Sequence, residues 1–273
     1  MLTCLLMGGL GNQLFQIFAV ISYSIQFHHT YFFFDDEQTI GCTPRSTYWK
    51  TLLHEIPLIQ KEDAKPFHIL VKEEPEYTRR KKEEFPINKN ILLSGYFQSY
   101  KYFDAYYNEI YESLKIEETK KEVLEKCVYY NKSFLDSCCS LHFRIGDYLH
   151  LQDHHNILTI DYYKQALLKV NPFYVLYFCE EKDKRKVKEM ISLLQGEFPS
   201  IRFYKIHSSL SDWEQMLIMS FCKHNIIANS TFSWWGAYLN HHTDKIVCYP
   251  SQWYGPKKNV STKDLFPEDW IVV

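Results

Sequence analysis

The feature that most constrains this chain is an alternation of short apolar segments with longer amphipathic segments, repeated along both halves of the sequence. Runs of β-branched, aromatic and aliphatic residues predict strands, and apolar positions at helical spacing predict helices between them. Strands that alternate with helices indicate an α/β fold with a mostly parallel sheet in each half. The predicted strands are residues 2–7, 31–34, 91–99, 133–140, 173–179, 201–204, 224–228 and 246–250, and the predicted helices are residues 14–27, 102–126, 161–170, 182–194 and 211–220.

Composition narrows the class of protein. The chain has 273 residues, of which 46% are hydrophobic and 17% aromatic, which is enough for sizeable cores. This length predicts about two domains. We expect the boundary between residues 116 and 133, giving domains of residues 1–125 and 126–273. The net charge of −2 and the isoelectric point near 6.6 argue against nucleic acid as a partner, since such proteins usually carry a basic excess.

Sequence signals of export are missing. The segment before the first glycine is too short and uncharged for a secretory signal peptide, and no stretch approaches ~18 apolar residues without a charge. The eight cysteines are scattered without a CxxC pair, which favours reduced thiols. We therefore expect a cytoplasmic protein without a transmembrane segment.

A glycine loop, residues 8–13, follows the first predicted strand and leads into a predicted helix. This layout is typical of phosphate and nucleotide loops, although the spacing is neither that of a Walker loop nor that of a dinucleotide fingerprint. Gly9 and Gly11 would let a ligand approach the backbone, and Asn12 and Gln13 would offer side-chain amides. A tight strand-to-helix turn is the alternative interpretation. No carboxylate adjoins the loop in the sequence, so we name no general base.

A charged cluster marks the middle of the chain, where residues 141–148 read Leu-His-Phe-Arg-Ile-Gly-Asp-Tyr. Ligands of open α/β sheets bind beyond the carboxyl ends of strands, and this cluster is expected at such an end. Arg144 is a permanently charged fork suited to phosphate oxygens. His142 would share its strand face, and Asp147 could hold the arginine in place. A surface salt bridge at a strand end is the alternative.

A third segment, residues 229–239, begins with hydroxyl residues at the predicted start of a helix. Backbone N–H groups at a helix start attract anions. Together with the hydroxyls of Ser230 and Thr231 they would cradle a phosphate, whereas helix capping alone would also explain both residues. The sequence has no Asp-x-Asp motif, and Asp153-His154-His155 lacks the spacing of a metal site, so we predict no metal.

Three segments together resemble the α-1,2-fucosyltransferases of glycosyltransferase family 11. They are Gly-Gly-Leu-Gly-Asn-Gln-Leu-Phe-Gln at residues 8–16, His-Phe-Arg-Ile-Gly-Asp-Tyr at 142–148 and Asn-Ser-Thr-Phe-Ser-Trp-Trp-Gly-Ala at 229–237. The resemblance spans nearly the whole chain and implies a GT-B architecture, with two Rossmann-like domains facing across a cleft. It also implies GDP-fucose as donor, inversion at the anomeric carbon and no required metal or other cofactor.

The resemblance assigns roles to individual residues. Related fucosyltransferases use the first arginine of a similar His-x-Arg-Arg cluster on the donor β-phosphate, which makes Arg144, with His142, the catalytic candidate. The C-terminal domain would bind the GDP-sugar and the N-terminal domain would lie on the acceptor side. Donor-binding candidates are Arg144, Asp147, Asp212, Asn229, Ser230, Thr231 and Phe232, and residues facing the acceptor or reacting sugar are Gly9, Gly11, Asn12 and Gln13.

One position departs from the family pattern. The pattern is His-x-Arg-Arg-x-Asp, and this chain has Ile145 where the second arginine belongs. Losing one charged hydrogen bond costs about 1.5–3 kcal/mol. We therefore expect weaker donor binding or slower turnover, with Arg144 still available to a phosphate.

The leading hypothesis is transfer of L-fucose from GDP-fucose to O2 of a terminal galactose on a glycan, giving an α-1,2 linkage. Peripheral membrane contact is expected only if that acceptor is lipid-linked. The first alternative is transfer of another GDP-linked 6-deoxyhexose or L-sugar. A second is a GDP-sugar- or carbohydrate-binding protein that has lost catalysis, and a sulfotransferase is a distant third because the glycine loop lacks a basic residue.

Overall fold

The computed structural model describes residues 1–35, 46–258 and 260–273, without the side chains of Asp147 and His150. The chain divides into two compact units. The first comprises residues 1–119 and 261–267, and the second comprises residues 120–260 and 268–273. The division falls a few residues before the predicted one, and a short C-terminal segment belongs to the first unit. The acceptor-side and donor-side roles of the two units stay predictions.

The first unit contains a three-stranded parallel sheet in the order β1-β5-β4, with β2 and β3 paired separately in parallel. The long helix α1 follows β1 directly, and almost all of its residues are buried. The unit's strands and helices are β1 (Leu2–Cys4), α1 (Leu10–Phe27), β2 (Phe33–Phe34), β3 (Leu58–Ile59), β4 (Ile69–Lys72), β5 (Ile91–Ser94), α2 (Tyr107–Ser113) and the start of α3 (Ile116–Lys126).

The second unit contains a six-stranded parallel sheet in the order β11-β10-β9-β6-β7-β8. Strand β6 lies inside the sheet and is buried along its whole length, as expected for a parallel strand covered on both faces. The elements are α4 (Lys132–Leu135), β6 (Cys138–His142), α5 (Ile160–Val170), β7 (Tyr174–Phe178), α6 (Lys184–Glu197), β8 (Arg202–Lys205), α7 (Asp212–Phe221), β9 (His224–Ile226), α8 (Thr231–Tyr238), β10 (Val247–Tyr249) and β11 (Ile271–Val272).

The α/β class with parallel sheets in both halves is therefore confirmed. The GT-B arrangement of the two units stays a prediction. No helix in residues 1–35, 46–258 and 260–273 is both long and apolar enough to cross a membrane.

Some predicted elements were wrong in type or extent. The predicted strand 133–140 begins as helix α4, because the Asn131 side chain accepts the N–H of Phe134 at 2.9 Å and caps a helical turn. The predicted helix 102–126 is divided, since Lys115 has a left-handed backbone with φ of 48° between α2 and α3. The predicted strand 91–99 ends at Ser94, where Gly95 and Phe97 adopt positive φ and turn the chain.

Three strands were missed, namely β3, β4 and β11. Two of them are only two residues long, and β4 follows a charged stretch without clear periodicity. Short strands of this kind form because a neighbouring segment offers hydrogen bonds, as the carbonyl of Asn90 does for the N–H of Ile69 at 3.3 Å. Their own side-chain pattern carries little signal.

Candidate functional site

The second and third sequence motifs meet at one edge of the six-stranded sheet. Strand β6 pairs in parallel with β9 on one side and β7 on the other, with Leu141 opposite Ile226 and His142 opposite Phe178. Parallel strands end at the same edge. The loops after β6, β7 and β9 therefore lie side by side, at the position where ligands of open α/β sheets bind.

His142 is the last residue of β6 and is buried, with only 6% of its surface exposed. Its ring centre lies 5.6 Å from that of Phe232, in the first turn of α8. Burial, and then the positive charge of Arg144, lowers the pKa of His142 to about 3, so its imidazole is neutral near pH 7. The Nδ1 atom has no hydrogen-bond partner in the described part of the structure. A buried orphan of this kind calls for an explanation such as a ligand.

Arg144 forms an ion pair and a hydrogen bond with Glu180, which lies two residues after the end of β7. Its guanidinium carbon also lies 5.1 Å from the centre of the Tyr148 ring. Glu180 in turn contacts the ammonium of Lys182 at 2.7 Å. Because a guanidinium has five N–H donors, Arg144 can keep Glu180 and still donate to a phosphate.

The loop after β6 is held by the loop after β7. Gly146 has a φ of +26°, and its N–H donates to the buried carboxylate of Asp183 at 2.7 Å. The Ile145 side chain belongs to the hydrophobic core of this unit, with 3% of its surface exposed. The isoleucine that replaces the family's second arginine is thus a core residue in this chain.

The third motif builds the start of helix α8. Ser230 is the N-cap, and its hydroxyl accepts the N–H of Phe232 at 3.4 Å. Ser230 therefore caps this helix, which is one of the two roles that the sequence allows for it. Thr231 and Phe232 occupy the first turn beside His142, and the positive end of the helix dipole faces this edge.

Asn229 holds in place the segment of chain that leads into α8. Its side-chain nitrogen donates to the carbonyl of Asn156 at 2.8 Å and to that of Trp253 at 3.2 Å. Its backbone carbonyl accepts the hydroxyl of Tyr148 at 3.1 Å, which joins the second motif to the third. The Oδ1 atom of Asn229 is buried and lacks a hydrogen-bond partner among the described residues.

Two further residues, Asp212 and Asp147, were predicted to bind the donor. Asp212 is the first residue of α7, and its carboxylate accepts the N–H of Trp213 at 2.9 Å, so its visible role is at that helix start. The backbone of Asp147 lies in the short turn Gly146–His150, and its side chain lies outside the described part of the structure.

The glycine loop occupies the carboxyl end of β1 in the first unit. Gly8 has a φ of +76°, and a Cβ there would lie 2.4 Å from the Nδ2 atom of Asn12. Gly9 is the N-cap of α1 in an extended conformation, and a Cβ there would meet no atom of the described residues within 4 Å. Gly11, Asn12 and Gln13 form the first turn of the helix, which confirms the predicted strand, loop and helix.

Two glutamines brace this loop. The Gln13 side chain is buried and donates to the carbonyl of Gly8 at 3.1 Å. Gln16 is fully buried and binds both backbone groups of Met7, accepting the N–H at 3.0 Å and donating to the carbonyl at 2.9 Å. The loop is therefore set by its own amides before any ligand binds.

Sequence reasoning missed the carboxylates that surround both loops. Glu180 and Asp183 contact Arg144 and Gly146. Glu73 follows β4 and accepts the N–H of Gln98, whose side chain contacts Asn12 in the glycine loop. The available signal was their position just after predicted or short strands, but the strand order of each sheet was needed to bring them to the motifs. Within the described residues there is no group of three potential metal-ligating side chains.

The sequence belongs to glycosyltransferase family 11, whose profile ("Glycosyl transferase family 11") matches residues 2–273. It is 27% identical to the Escherichia coli O-antigen biosynthesis glycosyltransferase WbnK, with 99% of each chain covered. An E. coli alpha-1,2-colitosyltransferase is 26% identical over 67% of this chain and 62% of its own. A Caenorhabditis elegans galactoside 2-alpha-L-fucosyltransferase is 24% identical over 99% of this chain and 78% of its own. The resemblance noted in the sequence is confirmed, and the protein is a glycosyltransferase of this family.

Proposed function

We propose that this glycosyltransferase moves L-fucose from GDP-fucose to O2 of a terminal galactose, with inversion and without a metal. The observation that carries the donor side is the edge formed by His142, Arg144 and the start of α8. There a permanent cation, a helix start and a buried nitrogen that has no hydrogen-bond partner among the described residues lie at the ends of neighbouring strands of one sheet. Fucosyl transfer is supported by family membership and by the fucosyltransferase relative.

The negative charge that develops on the diphosphate during transfer determines which residues would assist the reaction. The acceptor O2 hydroxyl attacks the anomeric carbon and releases its proton to water, while the bond from that carbon to the β-phosphate oxygen breaks and leaves negative charge on the diphosphate. Arg144 would stabilise this charge through N–H groups not used on Glu180. The hydroxyls of Ser230 and Thr231, the N–H of Phe232 and the α8 dipole would add to that stabilisation.

His142 would contribute as a neutral group. An imidazole with a pKa of about 3 cannot carry a positive charge to the phosphate near neutral pH. Its Nδ1 instead offers a single hydrogen bond, as donor or acceptor according to the tautomer. We assign it to orientation of the donor, alongside Asn229.

The acceptor would lie at the glycine loop, with Gly9, Gly11, Asn12 and Gln13 toward the reacting sugar. Gly9 fits this role because space is open at its Cα. The Gln13 side chain is directed to Gly8 instead, so its contribution would be to hold the loop. The galactose-terminated acceptor rests on the fucosyltransferase relative and on the motif resemblance.

A second donor is favoured by one specific observation, the similarity to an alpha-1,2-colitosyltransferase. The same edge would then bind the GDP of another GDP-linked 6-deoxyhexose or L-sugar. Parallel assays with GDP-fucose and GDP-colitose separate the two candidates, because the diphosphate contacts would be shared and only the sugar contacts would differ.

The deciding experiment measures GDP release from GDP-fucose with lactose or N-acetyllactosamine, with and without EDTA, in wild type and Arg144→Ala. We expect acceptor-dependent release that survives EDTA and falls at least about tenfold in the variant, as loss of a charged hydrogen bond predicts. GDP binding by calorimetry without release on any galactoside would overturn fucosyl transfer to galactose. Unchanged activity in Arg144→Ala would overturn the donor site.

A further inference from the structure

A carboxylate that the sequence does not place near the glycine loop reaches it through the fold. In the sheet order β1-β5-β4, the glycine loop follows β1, a tight turn follows β5 and Glu73 follows β4. All three segments therefore leave the same edge of the sheet. We refer to Glu73, Gln98 and Asn12 as the first-unit relay, because hydrogen bonds join them in that order.

The first link is between Glu73 and the turn after β5. The two carboxylate oxygens accept the N–H of Tyr96 at 2.6 Å and the N–H of Gln98 at 3.2 Å. N–H groups from one turn that converge on an anion form the kind of backbone nest that holds a carboxylate. The turn needs this support, since Phe97 is a fully buried non-glycine residue with a φ of 52°.

Close packing keeps Glu73 in that position. Gly95 has a φ of +153°, and a Cβ there would lie 2.3 Å from the Cβ of Glu73. The backbone of the turn and the side chain of Glu73 therefore approach each other as closely as a glycine permits. By contrast, the neighbouring Glu74 has a half-exposed side chain that reaches Arg80 at 3.7 Å.

The second link is between that turn and the glycine loop. The side-chain nitrogen of Gln98 donates to the Oδ1 atom of Asn12 at 2.8 Å. This bond fixes which way the Asn12 amide faces, with its oxygen toward Gln98 and its nitrogen beside Gly8. The Asn12 side chain, which the proposed function places at the reacting sugar, therefore takes its orientation from Gln98.

We infer that Glu73 is a positioning residue for the acceptor sugar, acting through Gln98 on the orientation of Asn12. The inference rests on the proposed function in one respect, that Asn12 faces the reacting sugar. It goes beyond that function by naming the group that sets the geometry of the acceptor side. It also predicts that the acceptor site and the donor site respond differently to the same substitution.

The test compares Glu73→Gln, Gln98→Ala and the matched control Glu74→Gln. Each removed link should raise the KM for the galactoside about tenfold, as expected for one lost hydrogen bond to a charged or oriented group. The Kd for GDP, measured by calorimetry, should stay at the wild-type value in all three. A purely structural role for Glu73 would lower donor and acceptor binding together.

Hydrogen exchange supplies a readout that does not depend on activity. Glu73→Gln should speed amide exchange in residues 95–102 and in the glycine loop, Gln98→Ala should speed it in the glycine loop alone, and Glu74→Gln should change neither. Gln98→Ala leaves the nest intact, so it remains informative even if Glu73→Gln fails to fold. Unchanged exchange in the glycine loop of Gln98→Ala would overturn the relay. If wild type shows no transfer, the proposed function fails, while exchange still decides the relay.

Discussion

Arg144 and Glu180, which are 36 residues apart, form an ion pair across the ends of the neighbouring strands β6 and β7. The pair holds the guanidinium through its Nη1 nitrogen, and the planar fork of an arginine carries further N–H donors. Lysine has a single ammonium and lacks the planar fork that could serve two oxyanions at once. The identity of the cation at this position therefore matters as much as its charge.

Arg144→Lys should weaken GDP binding about ten- to a hundredfold, because an ammonium held by Glu180 cannot also bridge to the diphosphate. Calorimetry with GDP gives the affinity, and thermal unfolding checks that stability is unchanged. Arg185→Lys is the matched control, since the Arg185 side chain is 95% exposed and its ion pair within the described residues is with Glu189 at 3.6 Å. Equal GDP affinity in Arg144→Lys and wild type would contradict the role given to the guanidinium.

Ile145→Arg restores the family pattern but should destabilise the protein by at least about 3 kcal/mol, because an unpaired charge would enter the core. Urea unfolding measures the change, and Ile145→Val, which should cost about 1 kcal/mol, is the control. A stable Ile145→Arg variant with tighter GDP binding would show that this side chain can turn to the donor, contrary to its position in the core.

Gly8→Ala should destabilise the fold, whereas Gly9→Ala should leave its stability almost unchanged. The left-handed backbone at Gly8 costs about 1–2 kcal/mol for any residue with a Cβ, and that Cβ would displace Asn12. Gly9 has an extended backbone with open space, so Gly9→Ala should keep wild-type stability within about 0.5 kcal/mol. Chemical unfolding of both variants checks this contrast.

The same pair of variants tests the acceptor side. If a sugar approaches the backbone at Gly9, the added methyl group should raise the KM for the galactoside while leaving the Kd for GDP unchanged. An unaffected acceptor KM in Gly9→Ala would remove Gly9 from the predicted sugar-facing residues.

Buried His142 should make the protein less stable in mild acid. The unfolded histidine binds a proton below its ordinary pKa of about 6.5, whereas the folded one has a pKa of about 3 and remains neutral. Since the unfolded state binds more protons between these values, stability falls as the pH falls through that window, by about 2 kcal/mol at pH 5. Urea unfolding at pH 7 and pH 5 should show a smaller loss in His142→Gln.

His154→Gln, which replaces an exposed histidine, is the control for that measurement. An identical loss of stability in His142→Gln and wild type would show that His142 does not carry the effect. The comparison concerns folding alone and is independent of the transfer reaction.

The sequence by itself determined the α/β class, the glycine loop before α1, and the position of His142 and Arg144 at the end of a strand. These features are local, because apolar periodicity, glycine placement and hydroxyl caps act within a few residues of each other. Family membership followed from the same segments. The predicted ends of strands and helices were wrong where a capping residue such as Asn131 or a left-handed residue such as Lys115 interrupted the pattern.

Only the tertiary structure decided which groups face one another. The partner Glu180 of Arg144, the burial of Ile145 and the relay from Glu73 to Asn12 all depend on the order of strands in the two sheets. In a parallel sheet, residues far apart in sequence become neighbours when their strands pair, and periodicity along one strand contains no information about its neighbour. The chemistry of each motif is thus encoded locally, whereas its protonation state, orientation and support come from the pairing of strands.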